Sequence, residues 1–204
     1  EPKPKGLQLP FFLSVGVRQE TEDYRLASPN ANIPYFRKRY LFPIPPDNCT
    51  AQEIRATGFP NSFRHHHHSP GFTNAQNGDL LYSVYSTYRE YDAESGLVGC
   101  RFRVGEDQWG MPDVFLNAVG VNDHAPMFHT DKDGVIYHFW GWPQLDHAYP
   151  FQYVVSKDNG ETWSDVQFPL FTEKAEYVCE QPVNTGIDAT DGTFYLAADA
   201  SANV

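Results

Sequence analysis

Cysteine is scarce in this sequence: three residues, Cys49, Cys100 and Cys179, in 204. They allow one disulfide with a free thiol, or three buried thiols, and their spacing excludes a cysteine zinc site. No apolar run reaches the ~18 residues that a membrane-spanning helix needs, so no such span is expected. Basic residues are outnumbered, 15 Lys and Arg against 26 Asp and Glu, for a net charge of −11. The missing basic footprint excludes a general nucleic-acid binder. It does not exclude an anionic substrate, because a local Arg/His pocket can oppose the global sign. Charged residues are also too few (20%), and aromatics too many (15%), for a disordered chain.

What is abundant is Tyr (12), Phe (15), Gly (15) and Pro (16). Short strands separated by Gly/Pro turns produce that balance and point to an all-β chain. The strands recur. His68-Ser69-Pro70 aligns with His124-Ala125-Pro126 at an offset of 56 residues, which also superposes Phe72 on Phe128, Gly78 on Gly134 and Leu80 on Ile136. A third step carries Pro126 onto Pro182, and the turn Asp191-Gly192 then falls two residues late. Each copy reads x-Pro, a strand, a Gly turn, then a second strand: Leu80 to Tyr85, Val135 to Trp140 and Thr193 to Ala197. The second copy adds a third strand from Phe151 to Val155. Units of this length stacked radially are propeller blades of four antiparallel strands. The expected division of the single domain, 1–204, is 1–63 for N-terminal strands (Phe11 to Val17, Tyr40 to Ile44), 64–119 and 120–175 for two blades, and 176–204 for the start of another.

The third strand runs into Ser156-Lys157-Asp158-Asn159-Gly160-Glu161-Thr162-Trp163, which meets the Asp-box pattern Ser-x-Asp-x-Gly-x-Thr-Trp at every defined position. In such a turn Asp158 accepts bonds from the turn's own backbone, Gly160 supplies a positive φ, and Trp163 tucks between sheets. Gly105 to Trp109 is a decayed version in the first copy.

Strand direction sorts the side chains by face. The Gly turns and the Ser156–Trp163 turn share one end of the blades. The x-Pro starts and the loops after second strands share the other. That second end gathers Arg64, His65 to His68, Asp123, His124 and Glu180 with Tyr88, Arg89, Trp142, Asp146, His147 and Tyr149. Histidines, tyrosines, arginines and carboxylates on one concavity suit a glycan site. The candidate catalytic residues are His68, His124, Tyr88, Asp123 and Glu180. The candidate substrate-binding residues are Arg64, His67, Arg89, Trp142, Asp146, His147 and Tyr149. Strand alternation lets at most two of the four consecutive histidines face the site. The run is no tag remnant, since it lies inside a repeat unit. Trp142 and Tyr149 are read as sugar-stacking rings or as packing aromatics. No cofactor motif occurs; a structural calcium is compatible with the sequence but has no motif in it.

On these residues the chain resembles the sialidase-like Asp-box (BNR repeat) propeller superfamily across residues 60–204. That resemblance implies six or seven blades, of which this chain would supply about three to four. An open wedge would expose sheet faces and unpaired edges, so the remainder is expected on another chain or in a missing segment. Sialidases place Arg-Ile-Pro at an early first strand, where this chain has His68 and His124. His124-Ala-Pro, Tyr137-His138-Phe139-Trp140-Gly141 and Pro150-Phe151-Gln152-Tyr153 are more similar to the propeller ulvan lyases and rhamnose–glucuronate-cleaving enzymes. That similarity implies His and Tyr as acid and base and Arg against a uronate. The second His those families place just after the second strand is Trp142 here, with His147 a few residues on.

Three functions compete. One is β-elimination on a uronate-containing polysaccharide, with Arg64 or Arg89 neutralising the carboxylate, His68 or His124 as base and Tyr88 or another His as acid. Another is glycoside hydrolysis by paired carboxylates, Asp123 and Glu180. The third is glycan binding without catalysis. The polar opening Glu1-Pro2-Lys3-Pro4-Lys5 suits a stub left by signal removal, and Asn48-Cys49-Thr50 fits a glycosylation sequon. Both agree with a secreted protein, extracellular or periplasmic.

Overall fold

The computed structural model describes residues 41, 48, 50–56, 64, 66–106, 109–141, 151–170, 181–182 and 185–198. The strands expected at Phe11 to Val17 and Tyr40 to Ile44, Leu41 apart, lie outside them, as do Cys49 and Cys179. Among the described residues a short helix, α1 (Ala51–Ala56), comes first. It opens on a capping box: Thr50 Oγ1 accepts from the Glu53 N–H at 3.2 Å, and Glu53 Oε2 accepts from the Thr50 N–H at 2.8 Å. No helix among the described residues is long and apolar enough to cross a membrane.

The strands are β1 (His66–Asn74), β2 (Leu80–Thr87), β3 (Gly96–Phe102), β4 (Asp113–Leu116), β5 (His124–Thr130), β6 (Ile136–Gly141), β7 (Phe151–Ser156), β8 (Ile187–Asp188) and β9 (Phe194–Tyr195). They form antiparallel sheets in sequence order: β1-β2-β3-β4, then β5-β6-β7, then β8-β9. A bridge from Tyr153 to Gln167 gives the second sheet its fourth rung, and one from Pro182 to Ala198 extends the third. The architecture is a β-propeller of antiparallel blades, and this chain forms part of one.

The repeat resides in backbone bonds. Three first-strand hairpins close in the same way: the Ala75, Asp131 and Ala189 N–H groups donate to Asp79, Val135 and Thr193 carbonyls at 2.7, 2.9 and 2.8 Å. Gly78, Gly134 and Gly192 then donate back, each at a φ between 82° and 91° that side chains rarely adopt. The x-Pro motif proves to be a bulge. The register slips between His68 and Gly71 in one blade and between His124 and Met127 in the next. Ser69 (φ 48°) and Ala125 (φ 49°) absorb the extra residue in the left-handed region.

Period-2 alternation builds the core. Leu81, Ser83 and Tyr85 of β2 face Ile136, His138 and Trp140 of β6, and two apolar clusters result: Ala75, Leu81, Phe128 and Ile136, and Tyr85, Leu97, Trp140 and Val154. Trp163 packs against both clusters and lies edge-on to Phe115 at 5.1 Å between ring centroids. The opposite side of β6 meets the next blade, where Phe139 and Phe194 stack at 6.0 Å. Close to the axis, β1 and β5 run side by side. A Cβ on Gly71 would lie 2.9 Å from the Pro126 carbonyl, and Thr73 Oγ1 hydrogen-bonds Thr130 Oγ1 at 2.7 Å.

At the Gly-turn end, the Ser156–Trp163 turn clasps the first blade. Asp158 Oδ1 accepts from the Thr162 N–H at 2.9 Å, and Ser156 Oγ accepts from the Gly160 N–H at 2.8 Å. The Thr162 hydroxyl and amide bonds hold the Asp158 carboxyl down to about 2. Arg101 reaches across to donate to the Asn159 carbonyl (2.7 Å) and to Glu161 (2.6 Å), while also pairing with buried Asp79 at 3.1 Å. Cys100, on β3, is a free thiol pushed up to about 12 by burial.

Candidate functional site

The three x-Pro starts converge. Ser69, Pro70, Ala125, Pro126, Gln181 and Pro182 all line one cavity of about 410 Å³. β1, whose Ser69 and Pro70 line it, presents its histidines alternately. His66 and His68 fall on one face, with ring centroids 4.2 Å apart. His67 falls on the other, where its Nε2 lies 3.2 Å from Ser86 Oγ. The first pair meets the rest of the cluster.

Tyr85 is the hinge of that cluster. It pairs with His68 across the ladder, and its ring lies 5.8 Å from His68, 6.2 Å from His66 and 6.4 Å from His124 of the neighbouring blade. The ring is 3% exposed, and burial, with Glu90 next, pushes its hydroxyl up to about 12. The phenol therefore keeps its proton at any neutral pH. Glu90, in the loop after β2, brings Oε1 to 3.6 Å from His68 Nδ1, with both side chains about half exposed (51% and 47%). His124 is 8% exposed and sets Nδ1 3.4 Å from the Asn122 carbonyl. Histidines from two blades, a neutral phenol and a carboxylate thus meet at one corner open to solvent on the His68–Glu90 side.

The other expected residues fall elsewhere. Arg64 holds its guanidinium 4.9 Å from the Tyr88 ring centroid and donates to the Glu94 carbonyl at 2.8 Å. Tyr88 is 61% exposed, and the phenol inside the cluster is Tyr85 instead. The Arg89 backbone closes a turn with Asp92 at 3.0 Å. Asp123 has no exposed surface: Oδ2 accepts from the Ala118 N–H at 2.7 Å and Oδ1 from Trp140 Nε1 at 3.1 Å. Burial raises its carboxyl to about 6 despite those two bonds. Its carboxylate ties a loop to the core and offers no oxygen to solvent. Trp142, Asp146, His147, Tyr149 and Glu180 lie outside the described residues.

His138 is likewise internal. It is fully buried, its ring lies 4.2 Å from Phe128 and 4.4 Å from Phe115, and Nε2 lies 2.8 Å from Ser83 Oγ. With Nδ1 unpartnered among the described residues, burial drives its pKa down to about 3. The histidine of the second strand is a neutral core residue.

No family model and no curated protein matches the chain. Its fold is that of the sialidase propellers. A Hadza microbial sialidase superposes with a TM-score of 0.55 at 15% identity, over 67% of this chain and 33% of that one. A protein of unknown function from Dyadobacter fermentans gives 0.51, also at 15% identity, over 65% and 47%. The chain therefore spans about a third to a half of the length of these structures.

On this sialidase-type scaffold, two members of the cluster, Tyr85 and Glu90, were not among the residues gathered from sequence, and His66 was gathered with its run but not singled out as a candidate. Alternation signals His66, because it is two residues from His68. Tyr85 reads as one more strand aromatic until the bulge at Ser69 sets its partner. Glu90 lies in a loop with no periodicity to place it.

Proposed function

We propose that the protein acts on an acidic polysaccharide by β-elimination, at the corner formed by His68, Tyr85, Glu90 and His124. The observation that carries the reading is the contact of Tyr85 with histidines of two blades, at 5.8 Å to His68 and 6.4 Å to His124. Carbohydrate as the substrate class draws further support from the fold shared with a sialidase. The Ser156–Trp163 turn, read as an Asp box, belongs to the same picture, as does action outside the cytoplasm, where polysaccharide is met.

The Glu90 carboxylate, 3.6 Å from Nδ1, favours the His68 proton on that nitrogen and leaves Nε2 free to accept one. His68 then takes the proton from C5 of a uronate. The electron pair left behind forms the C4–C5 double bond, the C4–O bond breaks, and the leaving oxygen takes a proton from Tyr85, which holds one at neutral pH. Arg64 or Arg89, at the same end of the blade but outside the corner, is assigned to the uronate carboxylate, whose neutralisation makes the C5 proton acidic. Of the carboxylate pair expected from sequence, Asp123 has no exposed surface and Glu180 lies outside the described residues.

The test is a panel of acidic glycans, ulvan and gum arabic among them, followed by the ultraviolet absorbance of an unsaturated uronide. Tyr85→Phe and His68→Ala should each lower that signal by about 10²–10⁴-fold, the usual weight of one acid or base group. Absence of unsaturated product from every uronate-containing glycan, or its undiminished formation by His68→Ala, overturns the reading.

A further inference from the structure

The geometry points to a second use of this corner: a site for a divalent transition metal, zinc above all, held by His66, His68 and Glu90. One ligand atom from each lies within 4.8 Å of the other two. Two ligands bound tetrahedrally to one zinc at ~2.1 Å are themselves roughly 3.4 Å apart. His68 Nδ1 and Glu90 Oε1 already stand at 3.6 Å. The edges to His66 stay within the same 4.8 Å.

A second, independent feature concerns His66. Its Nε2 is buried and has no hydrogen-bond partner among the described residues. A buried ring nitrogen without a partner costs desolvation that a bound cation would recover. The surroundings set the class of ion. Two imidazoles and one carboxylate suit zinc and its transition-metal neighbours, whereas magnesium and calcium require oxygen ligands. Three protein ligands at a corner open to solvent on the His68–Glu90 side leave a coordination position for water, the arrangement of an open site rather than a closed structural one. β1 alternation explains why this pair binds and the run as a whole does not. His67 is on the opposite face, 3.2 Å from Ser86 Oγ.

The inference does not rest on the glycan reading, and binding is measured without any substrate. It does bear on that reading, because a His68 ring engaged by metal cannot serve as a free base, so zinc would suppress elimination.

The experiment is calorimetric titration of the full chain, stripped with chelator, using zinc sulfate and then magnesium chloride. One zinc per chain and no magnesium response are expected. Glu90→Gln and His66→Gln should each weaken zinc binding by more than about tenfold, the least that loss of even an outer-shell partner brings. His67→Gln should leave it unchanged. Glu90 is about half exposed, so Glu90→Gln keeps the core intact. Zinc affinity that survives Glu90→Gln, or that falls equally with His67→Gln, would mean loose chelation by the histidine run and would overturn the site. So would the absence of zinc binding to the wild-type chain.

Discussion

His138 offers the sharpest test of how the two blades are joined. It has no exposed surface, is flanked by Phe115 and Phe128, and has a pKa held down to about 3 by burial. In the unfolded chain the same imidazole titrates near ~6.5. A histidine whose folded pKa is depressed stabilises the fold above the unfolded value, and that stability is lost as pH falls from there toward the folded value. Between pH 6.5 and pH 4 the unfolded state takes up a proton that the folded state refuses. At ~1.4 kcal/mol per pH unit, this removes about 3 kcal/mol. Asp123 works in the opposite sense. Its carboxyl is raised to about 6, so its share of stability is full below ~3.8 and is lost as pH rises through 6. The two trends offset each other in the wild type, so its own pH profile is not decisive. A variant that removes only His138 is.

Replacing His138 alone would strand the buried Ser83 hydroxyl, which lies 2.8 Å from Nε2. Exchanging both partners for apolar groups avoids that cost. The double variant His138→Phe/Ser83→Ala, followed by urea denaturation at pH 7 and pH 4, should therefore gain about 3 kcal/mol on the wild type over that interval, with Asp123 common to both. Stability curves that run parallel would refute a neutral, wholly buried His138 and with it the assigned stacking of β2 on β6.

Two further expectations concern the same junction. Trp163→Ala empties the space between both apolar clusters; because Trp163 is only partly buried, the loss should be near the low end for an aromatic, about 3 kcal/mol by denaturant midpoint. Gly71→Ala drives a Cβ to 2.9 Å from the Pro126 carbonyl, a backbone atom that cannot step aside, so the inner strands should separate at a cost of about 1–3 kcal/mol, whereas Gly105→Ala meets no atom within 4 Å and suffers only its φ of 85°.

The parts of the fold that were legible in sequence are those set by short-range bonds. The spacing from Gly78 to Gly134 marks hairpins closed by bonds four residues apart. The second strands near Leu80, Val135 and Thr193 follow from those turns. Ser156 to Trp163 is a local turn whose residue types specify their own bonds. β3 and β4 carry no comparable punctuation and were assigned no boundaries, although the blade count required them.

The candidate site was legible only by its end of the blade. His68 and His124 were placed there by the repeat, and both contact Tyr85. Asp123 sits next to His124 in sequence, just ahead of β5, but its carboxylate turns inward to the Ala118 and Trp140 N–H groups and is wholly buried.

By itself, the sequence determined the rhythm of this protein: all-β, antiparallel, repeating every 56 residues, with histidines at one end of the blades. That much depends on turn chemistry and alternation, both local. Only the tertiary structure decided which histidines lie together. The bulges at Ser69 and Ala125 and the stacking of β5 on β1 brought His66, His68, Tyr85, Glu90 and His124 to one corner and sealed His138 and Asp123 inside. Contacts between side chains tens of residues apart depend on how whole sheets stack, and no short stretch of chain encodes that alone.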